Sequence, residues 1–314
     1  MRIVFMGTSD FGVPALRALH GRHEVAAVVT RPDAACGRGL RLRCPPVGNA
    51  GTDLGIPVLA PQNLSDPEFL ERLAAFGADA FFVVAFRILP PAVFTMPPKG
   101  TVNLHGSLLP DYRGAAPIQH AVLNGDAETG LTTFYIEETV DTGDIIFSER
   151  VVIGPDETAG DLRSRMSVTG ADLALRTMDA IETGTAPRIR QPMTGGRPAP
   201  KLHKGDGRVD WTRDARSVHN HVRGMNPQPG AFTPWCRGPL KIHRTLVADE
   251  VSAGTPGIVT EAGKDGFTVQ CGRGRVRIVE VQPPGKRPMD GASFVRGYRI
   301  EAGALLPLPE ECAE

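Results

Sequence analysis

The chain has 314 residues, 41% of them hydrophobic and 22% charged, which is enough for two domains with separate cores and typical of a globular protein. No apolar run approaches the length of a membrane span, and Met1 leads directly into an apolar segment with no signal-like stretch, so membrane and secreted classes are set aside and a cytoplasmic address is expected. Net charge is zero, yet the residues from Lys201 to Ile300 carry 17 Lys and Arg against 9 Asp and Glu, so a basic second part is joined to an acidic first part and a phosphate-binding surface is not excluded.

Arg2 to Met6 reads as a strand. Gly7 to Gly12 turns it into an amphipathic helix reaching Leu19, with Ser9 or Asp10 placed as its cap. This resembles a nucleotide-binding opening, but Gly7 and Gly12 do not form a Gly-x-Gly-x-x-Gly fingerprint, and Thr30-Arg31-Pro32 stands where an acidic residue would follow the second strand, Glu24 to Thr30. A dinucleotide oxidoreductase is therefore disfavoured. Arg31 to Arg43 mixes glycines with arginines and reads as a cationic surface loop. Ile56 to Leu59 is a third strand and Asp66 to Phe76 a helix. Ala78 to Phe86 is an unbroken apolar strand of the kind buried on both faces of a parallel sheet.

Thr101 to Pro117 follows, a strand running into a loop and then a helix, Gly114 to Asn124. Strand side chains two apart share a face, so Asn103 and His105 project together, opposite Val102 and Leu104. An amide can donate to a developing oxyanion, and an imidazole suits proton transfer near neutral pH. The spacing alone is equally compatible with two polar residues satisfied at a strand end. Thr129 to Ile136 is a further strand, and Val140 to Ile145 a turn carrying the carboxylates Asp141 and Asp144. Thr158 to Thr183 holds a long amphipathic helix with Leu162, Met166, Leu173, Leu175 and Met178 as its apolar stripe.

From Gly184 to Pro200 the composition turns to Gly, Pro, Arg and Thr, the signature of a linker. Beyond it, a helix from Ala215 to Met225 precedes short Gly- and Pro-bounded strands that suit a small barrel. Alternation places Arg273, Arg275 and Arg277 on one face of a strand, either a phosphate-tracking groove or a solvated charged face. The cysteines (Cys36, Cys44, Cys236, Cys271, Cys312) are odd in number and scattered. They share no ligand spacing with His203, His219, His221 or His243, so no metal site is expected and His219-x-His221 reads as a solvated pair.

Asn103-x-His105-x-Ser107-Leu108-Leu109-Pro110, then Arg113-Gly114-x-x-Pro117, then Asp141-Thr142-Gly143-Asp144, resembles the folate-dependent formyltransferases, most closely the branch acting on initiator methionyl-tRNA. The likeness runs from Met1 to about Leu306. It implies an α/β fold: a Rossmann-like parallel-rich sheet domain over 1–184, a linker over 185–205, and a small OB-like β-barrel domain over 206–314 that binds tRNA. The implied reaction moves a formyl group from 10-formyltetrahydrofolate to the α-amine of methionine on the initiator tRNA, in a monomer without metal.

By the same resemblance Asn103, His105 and Asp141 are the catalytic set, with Asp141 holding His105 or an ordered water. Phe86, Arg87, Ile88, Leu89, Ser107, Leu108, Leu109, Pro110 and Val140 line the folate site, and the Arg38, Arg41 and Arg43 loop meets tRNA; Arg273, Arg275 and Arg277 join these as tRNA contacts on their alternation and charge. Arg87 and Gly48 depart from residues common in the family, glycine and lysine respectively. Asp144 is read as a turn cap, and Arg113 as either a substrate anchor or the partner of a carboxylate. Rival readings are formyl transfer to glycinamide ribonucleotide or a sugar nucleotide, formyl-folate hydrolysis, and a catalytically silent RNA-binding protein.

Overall fold

The structure is a computed structural model and describes residues 1–36, 41–192, 194–235 and 238–306. The chain divides into two compact units, one formed by Met1–Pro117, Thr129–Val152 and Arg163–Pro200, the other by Ile118–Glu128, Ile153–Leu162 and Lys201–Glu314. Among the described residues no helix is long and apolar enough to cross a membrane.

Up to residue 199 the elements are β1 (Arg2–Gly7), α1 (Val13–His20), β2 (Glu24–Val29), β3 (Ala34–Cys36), β4 (Arg41–Arg43), α2 (Pro46–Asp53), β5 (Val58–Leu59), α3 (Pro67–Ala75), β6 (Ala80–Val84), α4 (Pro91–Phe94), β7 (Thr101–His105), β8 (Arg113–Gly114), α5 (Pro117–Leu123), β9 (Glu128–Tyr135), β10 (Ile145–Val152), α6 (Ala159–Thr183) and β11 (Pro198–Ala199). Strands β5-β2-β1-β6-β7 lie side by side in parallel, and β9 pairs antiparallel with β7 and is followed at the edge by β10. This is the Rossmann-like parallel-rich sheet that the alternating strands and helices predict. All five residues of β6 are buried, because a strand covered on both faces must be apolar throughout.

Helix α6 covers one face of the sheet beside β7. A Cβ added at Gly170 would lie 2.9 Å from Leu104 Cδ2, so the absence of a side chain there lets helix and strand approach. Thr133, paired with Leu104, shares a 2.9 Å hydroxyl contact with Thr177 of α6.

Local readings fare unevenly. Neither Ser9 nor Asp10 caps the first helix; Asp10 takes a 2.6 Å hydrogen bond from Arg163, which holds its carboxyl below the usual range. The Arg31 to Arg43 segment, read as an open loop, contains an antiparallel pair instead, Ala34↔Arg43 to Cys36↔Arg41. Helix α2 and strand β10 have no counterpart in the sequence reading: PVGNAGTD lacks a strong apolar period, and β10 alternates buried and exposed residues at an edge.

The second unit contains α7 (Ala215–Met225), β12 (Ala231–Thr233), β13 (Leu240–Asp249), β14 (Val259–Gly263), β15 (Gly266–Gln270), β16 (Arg275–Gln282), β17 (Met289–Asp290) and α8 (Gly291–Tyr298). Its sheet is antiparallel in the order β12-β13-β16-β15-β14, with β17 on β16. Asp214 and Asp290 cap α7 and α8, each accepting from the backbone N–H three residues on. Trp235, Phe267 and Phe294 form the aromatic centre of its core.

His219 corrects the expectation of a solvated pair. It is 1% exposed, with Nδ1 2.9 Å from Thr245 Oγ1 and Nε2 3.1 Å from the Pro155 carbonyl, and burial pushes its pKa down. Beside it the buried Arg223 donates to Asn220 Oδ1 and to the carbonyls of Gly154 and Glu157.

Phe82 on β6 is fully buried and stacks on Phe5 at 6.1 Å. Phe82→Ala is expected to cost about 3–5 kcal/mol of stability through lost burial and the cavity left behind, read as a lower denaturant midpoint in far-UV circular dichroism. An unchanged midpoint would show that this position is not part of the sheet's core.

Candidate active site

Strand β7 delivers both polar side chains to one face: Asn103 is half-buried and His105 is 6% exposed. After His105 the chain closes a compact loop. Ser107 is fully buried and its hydroxyl donates to the Asp111 carbonyl at 2.5 Å, while Thr132 Oγ1, opposite His105, donates to the Ser107 carbonyl and accepts from the Leu109 N–H. Tyr112 then adopts a left-handed backbone, φ +62°, unusual for a bulky residue. That conformation places the Tyr112 carbonyl 2.9 Å from His105 Nε2.

A carbonyl only accepts, so Nε2 carries the hydrogen and Nδ1 is the nitrogen left to gain or lose a proton. Nδ1 faces Asp141 Oδ2 at 3.7 Å, close enough for electrostatic attraction and short of a hydrogen bond. Asp141 also has a left-handed backbone, φ +56°, and its Oδ2 accepts the Gly114 N–H at 2.9 Å.

Asp141 reaches His105 by a turn that folds back across the sheet. Strand β9 ends beside the start of β7, at Tyr135↔Val102, so the turn does not emerge at the carboxyl ends of the parallel strands. It lies back over the face carrying Asn103 and His105. Gly143 makes this possible, because any Cβ there would run into the Tyr135 carbonyl. Asp144 faces away, its Oδ2 3.8 Å from Arg188 Nη1, and its backbone carbonyl accepts the Tyr135 N–H.

Two residues fasten this turn. Arg113 Nε donates to the Asp141 carbonyl at 3.0 Å, and its Nη2 donates to Gln191 Oε1 at 2.8 Å and to the Pro192 carbonyl at 3.1 Å. Gln191, 4% exposed, donates from Nε2 to the carbonyls of Asp141 and Gly143 at 3.2 and 2.7 Å. Arg113 thus braces the backbone rather than pairing a carboxylate. Gln191 has no place in the sequence reading, because nothing in Arg190-Gln191-Pro192 distinguishes it from linker composition. The stretch around it is held to the first unit by Ile189↔Ile145, by Pro198↔Arg113 and by the Tyr112 N–H donating to the Arg197 carbonyl.

Around the mouths of the parallel strands, Thr8 Oγ1 and Ser9 Oγ after β1, Thr30 Oγ1 after β2 and Arg87 Nε after β6 are buried without a hydrogen-bond partner among the described residues. Such orphaned groups at the carboxyl ends of an open α/β sheet mark where a polar ligand would sit. Arg87 is otherwise occupied: Nη1 and Nη2 donate to the carbonyls of Gln62 and Pro61 at 2.9 and 2.8 Å, and its guanidinium lies 5.2 Å from the Phe86 ring centroid. Burial, then the nearby Arg31 charge, lowers its pKa. Leu89 and Leu109 are buried, Phe86, Leu108 and Pro110 half-buried, and Ile88 and Val140 are 78% and 50% exposed.

Of the expected tRNA contacts, Arg38 lies outside the described residues, and Arg41 and Arg43 lie on β4. The three barrel arginines do not share a face. Strand β16 begins at Arg275, and Arg273 sits in the preceding turn, where Gly274 has φ +77° and the Arg273 carbonyl accepts the Ala215 N–H. Arg275 donates to Asp249 at 2.5 Å and to Glu261 at 2.9 Å. The backbone N–H of Ser252 and then this arginine hold Asp249 far below the usual carboxylate range. Arg277 is the half-buried arginine two residues along the strand.

The family described as "Formyl transferase" matches residues 1–178, and its C-terminal domain matches 201–299. A methionyl-tRNA formyltransferase of Moorella thermoacetica is 43% identical over 308 residues, covering 98% of this chain and 99% of its own. One from a Methylobacterium species is 46% identical over 311 residues, covering 98% and 99%. The solved structure of WlaRD, a sugar 3N-formyl transferase in the presence of dTDP and 5-N-formyl-THF, shares the fold with a TM-score of 0.67 at 18% identity, covering 91% of this chain and 99% of its own. Both family descriptions and these near full-length identities agree, and the chain belongs to the formyl transferase family, in the branch of the methionyl-tRNA formyltransferases.

Proposed function

We propose that this chain transfers the formyl group of 10-formyltetrahydrofolate to the α-amine of methionine on initiator methionyl-tRNA. The observation that carries the reading is His105, fixed between the Tyr112 carbonyl and the Asp141 carboxylate, beside Asn103 on the same strand face. The orphaned polar atoms of Thr8, Ser9, Thr30 and Arg87, with the exposed aliphatic side chains of Ile88 and Val140, suit a ligand with polar edges and an apolar ring such as folate. When bound, the folate supplies an activated one-carbon group.

The remaining chemistry belongs to the chain. Attack of an amine on a formyl carbon builds negative charge on the formyl oxygen, and the Asn103 amide is the donor for it. The attacking amine must lose a proton and the departing nitrogen must gain one. His105 Nδ1 handles that proton, and its Nε2–H, kept on Tyr112, prevents the ring from turning over. The Asp141 carboxylate, 3.7 Å from Nδ1, is the negative charge facing the nitrogen that carries this proton.

His105→Ala and Asp141→Ala are each expected to lower turnover at least about a hundredfold, and Asn103→Ala by roughly a hundred- to a thousandfold, in folded protein. They are measured as formyl transfer to charged initiator tRNA, with glycinamide ribonucleotide and water as competing acceptors. Near-normal turnover of the His105 variant would remove the mechanism, and preference for another acceptor would remove the substrate.

Gln191→Ala should lower kcat about ten- to a hundredfold by loosening the Asp141 turn while leaving KM for tRNA unchanged. Gln191→Glu should fare no better, since a carboxylate has no N–H for the Asp141 and Gly143 carbonyls. Recovery in the Glu variant would show that the contact to Arg113 alone matters.

Replacing Arg273 and Arg277 by alanine should weaken tRNA binding and flatten its salt dependence by about one unit of slope per lost phosphate contact, with transfer at saturating tRNA retained. Arg38→Ala should depress transfer more than binding. Wild-type affinity and slope in the double variant would reduce the second unit's charge to a solvated face.

A further inference from the structure

At the opposite, amino-terminal end of the strands, three residues far apart in sequence converge. His23 sits in the turn entering β2, while Asp179 and Glu182, three apart, share one face of α6. One ligand atom from each falls within 4.8 Å of the others. His23 is 6% exposed and both of its ring nitrogens lack a hydrogen bond, although Nε2 lies 3.2 Å from Asp179 Oδ1 and Nδ1 3.7 Å from Glu182 Oε2. A buried imidazole aimed at two carboxylates without bonding either is an unspent set of donors.

We propose that His23, Asp179 and Glu182 form a site for a first-row divalent transition ion, zinc being the type case, which staples the turn before β2 to α6. The donor set is one borderline nitrogen and two hard oxygens, which suits zinc, cobalt or nickel better than magnesium or calcium. One ion takes one nitrogen of an imidazole, so Nε2, beside Asp179, is the ligand, and the Glu182 carboxylate turns to it from the Nδ1 side to reach bonds of about 2.0–2.2 Å; the two carboxylate side chains are 40% and 43% exposed, which allows that turn and leaves a path for entry.

Cations already present compete for the site: the Met1 amino group contacts Glu182 Oε1 and leaves Oε2, which faces His23 Nδ1, while Arg22 Nε is 3.3 Å from Asp179 Oδ1, the oxygen that also faces His23 Nε2, so a bound ion displaces Arg22. Sequence spacing does not reveal this cluster, because 156 residues separate His23 from Asp179.

The test is a cobalt(II) and zinc titration of the tag-free, chelator-stripped full chain, followed by visible absorption and thermal unfolding. One equivalent should bind with no intense thiolate band and raise the unfolding midpoint, as any ligand selective for the folded state does. Because its two changes are at partly exposed helix positions, the double variant Asp179→Asn, Glu182→Gln should stay folded by circular dichroism, weaken binding at least about tenfold and abolish the midpoint shift. Equal affinity in wild type and double variant, a thiolate band, or no binding below millimolar metal would each overturn the proposal.

Discussion

The imidazole of His105 is the fixed point of the catalytic unit, and its constraint is a hydrogen bond to a carbonyl. Because the Tyr112 carbonyl cannot donate, it settles the tautomer, the ring orientation and the nitrogen free to exchange a proton. The bond exists only because Tyr112 takes a left-handed backbone, at a cost of roughly 1–2 kcal/mol for such a residue. Asp141 takes the same backbone region on the far side of the ring, at a smaller cost because aspartate enters it more readily. Two left-handed non-glycine residues facing one histidine mean that the surrounding structure, and not local preference, sets the geometry.

That surrounding structure is the Arg113–Gln191 brace. Each terminus of the Gln191 amide is used in the only sense its chemistry allows, oxygen toward the guanidinium and nitrogen toward two carbonyls, so the network admits one assignment. A charged donor to a half-buried acceptor contributes about 1.5–3 kcal/mol, which is the right size to offset the strain at Asp141. The segment from 185 to 200 therefore acts as the outer wall of the site as much as a connection between units.

What the sequence reveals follows from range. The parallel sheet, the long helix α6 and the pairing of Asn103 with His105 are all local periodicity, two for strands and three to four for helices, and they are legible. The approach of Asp141 to His105 rests on a turn folding back across the sheet, and the role of Gln191 on a contact across 50 residues, so no spacing rule reports either. Arg273 shows a different failure. Strict alternation through Gly272-Arg273-Gly274 puts Arg273 on the strand face, although glycine on both sides is itself a turn signal that outranks a period of two. Nothing in the sequence around His219 reports its burial, which comes from the packing of α7 against the segment around Pro155.

The two faces of β7 divide stability from chemistry. Leu104 packs where Gly170 has no side chain, and the paired Thr133 meets Thr177, so this face is filled and satisfied against α6. The other face carries an imidazole and an amide where apolar side chains would stabilise the sheet more, since buried polar groups contribute only when fully bonded. His105 is satisfied by its neighbours and Asn103 stays half-buried. A strand built this way gives up burial at one position out of five to keep an amide accessible beside a fixed imidazole. An amide kept there suits a partner on which negative charge develops, and it ties this face of the sheet to the formyl transfer proposed for it.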